Sequence, residues 1–343
     1  MKKKSKDLDP RLKMSRMTDW DNVPIYAGMH FLLKVSLFLS LTSGVSLTGL
    51  SHGRYSSSYL FPIHSERKSN TVMSDHVTPF TVDQIGYRSV RFSSKGIFDT
   101  HKDQMVDPYA ATKIPKEHQV QGFQFWPQEK GKFPSIVLLH GKWGLTPDSK
   151  DLAMRLACEG YVVIVPNLYG RQGGMVTANA EIADALSERI DLTTVLQDVN
   201  ASCEFLNANL PEDPTMEFTL RNAHAAVGLG LGGTVAILFA LKRKRLRAAV
   251  SFYGKLPDPL DSIRNMYCPL LYHAAESDDT VTAEELAQLT KVAQESGKTV
   301  EIRQYSGTSN GFCDQVQPDL YNESAAKQAW DATIAFLKKQ LPV

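Results

Sequence analysis

SIVLLHGKWGLTPDSKDLAMRLACEGYVVIVPNLYG, residues 135–170, holds a strand, a turn, a helix and a second strand in one short span. SIVLLH (135–140) and YVVIVPNLYG (161–170) are continuous apolar runs, as expected of strands covered on both faces. Between them a helix is expected over about 148–159, stopped by Gly160. Two buried strands joined by one helix form the unit of a parallel sheet.

The pattern continues outward in both directions. Upstream, VQGFQFWP (120–127) alternates as a strand does. Downstream, residues 178–209 read as one helix, with Ile182, Leu186, Ile190, Val195, Val199 and Phe205 among its apolar positions. AAVGLG (225–230), AAVSFYG (248–254), PLLYHAAE (269–276) and VEIRQY (300–305) read as further strands. They alternate with helices over 232–242, 282–297 and 323–341. The fold class is α/β: a doubly wound, mostly parallel sheet with helices on both faces.

Hydrophobic residues make up 43% and charged residues 22% of the 343, so a folded core of ordinary size is expected. The formal charge of +1 gives no reason to expect a nucleic-acid partner. Cys158, Cys203, Cys268 and Cys313 are scattered, without metal-ligand spacing, so no metal and no cofactor are expected. They read as buried thiols, with a disulfide as the alternative if the domain is exported.

Four segments are expected. Residues 1–22 are basic, and residues 23–50 are largely apolar, broken by His30 and Lys34. The stretch 23–50 fits a single membrane anchor, a cleaved signal behind a long basic leader, or a soluble arm. In the first two cases the basic end stays cytoplasmic and the folded domain lies on the extracytoplasmic side, membrane-associated or exported as a soluble protein. Residues 51–118 read as a linker and extension; GYRSVRF (86–92) is a possible strand, and no motif stands out in 93–118. The α/β domain covers 119–343.

Five motifs in this domain carry a resemblance. They are the stretch 138–173, ending in LYGRQG; VGLGLGG (227–233); AAVSFYG; LLYHAAESDDTV (270–281); and YSGTSNGF (305–312). In order and spacing the region resembles the dienelactone hydrolase family of α/β-hydrolases. The resemblance implies a nucleophile at the centre of G-x-S-x-G or G-x-C-x-G, followed by an acid and a histidine. It places Gly230 at the nucleophile position, Asp278 at the acid position with Asp279 beside it, and Asn310 at the histidine position. It implies an oxyanion hole from the backbone N–H groups of Lys142 and Leu231. Arg171 matches the family's substrate-binding arginine, whereas a second one is replaced by Asp314, and an acidic residue expected after His140 is Gly141.

Glycine cannot attack a carbonyl, and an amide cannot take a proton near pH 7. The reading is therefore a pseudoenzyme, a membrane-associated structural, assembly or ligand-binding subunit, with possible protein partners in a membrane complex. Trp143 and Arg171 could form a wall and a cation for a small carboxylate ligand, or Trp143 could simply fill the pocket. The alternative is a working hydrolase of small esters or lactones with a relocated nucleophile, for which Ser251, Ser277, Ser309 and Cys313 are candidates; each reads first as a loop or core residue. His140 and His273 read as satisfied histidines of the core. The run Lys242-Arg243-Lys244-Arg245-Leu246-Arg247 reads as a solvated helix end, with contact to a partner or lipid headgroups as the second reading.

Overall fold

The computed structural model describes residues 77–95, 114–208 and 219–341. The apolar stretch 23–50, read as an anchor or signal, lies outside them. Among the described residues no helix is long and apolar enough to cross a membrane.

Eight strands form one sheet: β1 Ile85–Ser93, β2 Gln119–Pro127, β3 Phe133–Leu139, β4 Val162–Pro166, β5 Thr219–Leu229, β6 Leu246–Phe252, β7 Leu270–Ser277 and β8 Val300–Ser309. Their order is β1-β2-β4-β3-β5-β6-β7-β8. β3 through β8 run parallel, while β2 is antiparallel to both β1 and β4. The possible strand at 86–92 is therefore the sheet's edge strand, paired with β2 along its whole length. The folded unit begins ahead of residue 119, where the sequence pattern had drawn its boundary.

Among the described residues six helices cover the sheet: α1 Pro147–Cys158, α2 Ala180–Glu188, α3 Leu192–Asn207, α4 Leu231–Ala240, α5 Ala283–Glu295 and α6 Glu323–Gln340. The single helix expected over 178–209 is two. Asp191 ends the continuity by capping α3, its carboxylate accepting from the Thr193 amide at 3.0 Å. α1 starts where Thr146 caps and Pro147 occupies the first turn. α5 starts in a reciprocal capping box between Thr282 and Glu285.

Alternate side chains of each buried strand feed two cores. Ile136 and Leu138 of β3 pack with Leu156 of α1 and Leu337 of α6. Val137 and Leu139 face the other way, with Val199 of α3, Ile237 of α4 and Leu289 of α5. Both layers exclude water from the sheet, which is why these strands read as unbroken apolar runs. The chain leaves β3 toward β4 on one side and enters β5 on the other, so the strand order reverses between β3 and β5. A crevice opens at such a point beyond the strands' carboxyl ends.

Candidate active site

Gly230 sits at that crevice, between the end of β5 and the first turn of α4, with φ +51° and ψ −112°. Its amide donates to the Phe252 carbonyl at 2.9 Å, and its carbonyl accepts from the Thr234 amide at 3.0 Å. The flanking glycines serve close approach. A Cβ on Gly228 would lie 2.1 Å from the Gly232 carbonyl oxygen, and one on Gly232 would lie 2.1 Å from that of Leu139. A Cβ on Gly230 would meet only Tyr253 Cε2, at 3.8 Å. The turn is thus the strained strand-to-helix elbow that presents a nucleophile, with room for a side chain and none there.

The acid and histidine positions come together. Asp278 follows β7 and Asn310 follows β8. Asn310 Nδ2 donates to Asp278 Oδ1 at 3.0 Å, and the same oxygen accepts the Thr280 amide at 2.8 Å. An amide thus makes the link that an imidazole N–H would make to its orienting acid. The amide has no basic nitrogen to present on its other side.

Tyr253 joins the two halves, and nothing in the sequence singled it out. It follows β6 with φ +41°, a rare conformation for an aromatic residue. Its ring is the neighbour of the Gly230 space, its carbonyl lies 3.5 Å from Asn310 Nδ2, and its buried hydroxyl has no hydrogen-bond partner among the described residues. Side-chain chemistry alone could not flag it, because its place depends on a backbone angle.

The Lys142 and Leu231 amides follow β3 and open α4. Among the described residues neither donates a hydrogen bond to a backbone or side-chain acceptor. The Lys142 carbonyl accepts the Tyr169 hydroxyl at 2.9 Å, which fixes the loop. Trp143 is buried and donates its indole N–H to the Asp314 carboxylate. Burial pushes the Asp314 carboxyl up to about 6, against the opposing effect of that bond.

Arg171 is drawn into an ion pair within the protein. Its Nη1 and Nη2 form a fork with the buried Asp198 carboxylate, and its Nε donates to the Glu117 carbonyl at 3.0 Å. These bonds use three of the five guanidinium N–H groups, and the charge expected to meet a carboxylate ligand is already paired with Asp198. Asp198 is buried and needs that partner more than a ligand would.

The candidate substitutes for the lost nucleophile are poorly equipped. Burial pushes the Cys313 thiol well above the ordinary range. Ser251 is fully buried, and Ser277 and Ser309 are exposed at strand ends. Among the described residues none of the four is hydrogen-bonded to a histidine. His140 lies between the Gly141 carbonyl and the Leu168 amide, and burial pushes it down to about 4. His273 is satisfied by the Tyr305 and Thr333 hydroxyls rather than by backbone, and burial pushes it to about 3. One serine does meet a histidine: Ser135 bonds His224 Nδ1, with Asn207 Oδ1 on Nε2 at 2.9 Å. That trio lies at the strand-start end of β3 and β5, fully enclosed, with the imidazole pushed by burial to about 3. No substrate reaches it, and it works as a buried polar tie between β3, β5 and α3.

The elbow at the switch point, the paired residues after β7 and β8, and the free amides define the α/β-hydrolase fold. The profile described as Dienelactone hydrolase family matches residues 120–341, and the chain belongs to that family. It is similar to a Bradyrhizobium sp protein described as a probable 2-oxo-3-(5-oxofuran-2-ylidene)propanoate lactonase. The two are 28% identical over 233 residues, covering 63% of this chain and 87% of that protein. Protein usf of Aquifex pyrophilus is 29% identical over 232 residues, covering 65% of this chain and 94% of its own length. Among solved structures, a dienelactone hydrolase-like promiscuous phosphotriesterase from metagenomic libraries superposes with a TM-score of 0.60. At 17% identity, over 75% of this chain and 99% of that one, it bears on the fold alone.

Proposed function

We propose that this dienelactone hydrolase family member is a pseudoenzyme, whose crevice holds a ligand or supports an assembly without cleaving an ester. The observation that carries this reading is Gly230, glycine at an elbow that keeps its strained geometry and has space for a side chain. Asn310 in the imidazole's place supports it, because a nucleophile and its base act as a unit. The free amides of Lys142 and Leu231 make the crevice a receptor for a carbonyl or carboxylate oxygen. The apolar stretch 23–50 is part of this reading, as a tether that brings the domain to a membrane.

The test is turnover of an activated aryl acetate and a small lactone by the full chain, beside a Gly230→Cys/Asn310→His variant. The parent is expected to show no hydrolysis above the background reaction. The variant is expected to gain at least about 10-fold, because it restores the nucleophile and a general base next to an acid already in place. Parent turnover lost on Cys313→Ala or Ser309→Ala replacement would overturn the reading and make the protein a hydrolase with a relocated nucleophile.

A further inference from the structure

Residues 77–343 carry 27 Lys and Arg against 31 Asp and Glu, yet one edge of the sheet is cationic. α4 runs from the elbow down to the strand-start edge, where Lys242, Lys244, Arg245 and Arg247 follow it, all exposed. Next to them on β5 is exposed Arg221; His224 pairs in register with Leu246, and Arg247 Nε lies 3.5 Å from the Asn222 carbonyl. One strand further, exposed Lys130 and Lys132 precede β3, whose first residue pairs with Thr219. Three adjacent strand starts thus present a continuous band of cations. Arg243 alone in the run is withdrawn, bonded to Asn200 and Glu204.

No member of this band is ion-paired among the described residues. Among the described residues the acids at these three strand starts are Glu129 and Glu204, and Glu204 is taken by Arg243. A solvated helix end explains one or two cations after α4. It does not explain Arg221, Lys130 and Lys132, which belong to other elements.

Two exposed apolar side chains stand within the band. Leu220, 40% exposed, precedes Arg221, and Tyr267, 46% exposed, is held beside the cations by its amide bond to the Ala240 carbonyl at 3.0 Å. An aliphatic and an aromatic tip among unpaired cations suit a layer whose phosphates lie beside its apolar depth. The chain also enters the described domain here: the Phe80 amide donates to the Cys158 carbonyl at the lower end of α1, and β1 starts opposite Pro127. The crevice at Gly230 opens at the opposite edge.

We propose that this strand-start edge is a docking surface for anionic lipid headgroups, leaving the crevice facing away from the bilayer. The cations neutralise headgroup phosphate, and Tyr267 and Leu220 reach the interface between headgroups and chains. Each cation near such a surface strengthens attachment by about 5-fold. The surface is independent of whether the crevice is catalytic.

The test is amine acylation of the full chain mixed with nanodiscs, read lysine by lysine by mass spectrometry. One set of discs is phosphatidylcholine, the other phosphatidylcholine with about one-third phosphatidylglycerol, a composition that supplies the negative surface potential. Lys130, Lys132, Lys242 and Lys244 are expected to be shielded at least about 3-fold in the anionic discs only, with Lys255 at the far edge unchanged. The shielding is expected to disappear in 0.5 M salt, a concentration at which the screening length shrinks to roughly 4 Å, and in an Arg245→Glu/Arg247→Glu variant. Equal labelling in the two kinds of disc would overturn the proposal. So would an oligonucleotide that shields the same lysines at lower concentration than the discs do, which would give the surface to nucleic acid.

Discussion

At the scale of single residues, the elbow separates two reasons for glycine. Gly230 is tolerated by the space around it and favoured by its angle, whereas Gly232 is required by the Leu139 carbonyl. Gly230→Ala is expected to cost about 1–2 kcal/mol, the strain of a positive φ without a clash. Gly232→Ala drives a Cβ into a backbone that cannot move, and is expected to cost about 3 kcal/mol or more. Urea unfolding of both variants checks the order; a larger loss at Gly230 would contradict the geometry. The triad positions were legible in the sequence because each lies in a short motif at the end of an apolar strand. Tyr253 was not, since its role rests on its φ. The ion pair of Arg171 was not legible for a related reason: its partner Asp198 is 27 residues away on a helix, and only the fold brings them together.

At the scale of elements, most of the sheet could be read because its central strands are buried on both faces and contain few polar positions. The exceptions have physical causes. β1 alternates like a solvated edge strand and is separated from β2 by a segment with no pattern, so nothing local ties the two together. α2 and α3 merge in sequence because their apolar positions keep a helical period across the break. What breaks them is one cap at Asp191, whose residue type alone is compatible with a helix interior. Behind them, the Arg171–Asp198 fork ties the 3-10 turn Gly170–Gln172 to α3. Arg171→Ala leaves a carboxylate buried without its partner and is expected to cost about 3–5 kcal/mol. An Arg171→Ala/Asp198→Asn double variant is expected to recover part of that loss. A stability unchanged by Arg171→Ala, in thermal or urea unfolding, would contradict a structural role for the pair.

At the scale of the whole molecule, the buried histidines set the response to acid. His140, His224 and His273 are held neutral by burial, at about 4, 3 and 3, below the ordinary 6.5. The unfolded chain takes up these protons first, so the stability they contribute is present above pH 6.5 and lost as pH falls toward about 3. Asp314 and Asp198, both raised by burial, act in the opposite sense as pH rises through their folded values. The net uptake of one to two protons on unfolding corresponds to a loss of about 1.4–2.7 kcal/mol per pH unit on acidification. Urea unfolding at pH 7 and pH 5 reads it, and stability that is flat or rises toward pH 5 would contradict the burial of these rings. The catalytic question is also one for the whole chain, because any group anywhere in the crevice could substitute for the lost one. The most direct measurement is intact-mass spectrometry of the full chain after exposure to an activated aryl ester, followed by mapping of any adduct. No acyl group is expected to form in the crevice and then leave on the timescale of turnover. A transient acyl adduct on Cys313, Ser309 or another crevice residue, formed as product is released, would contradict it.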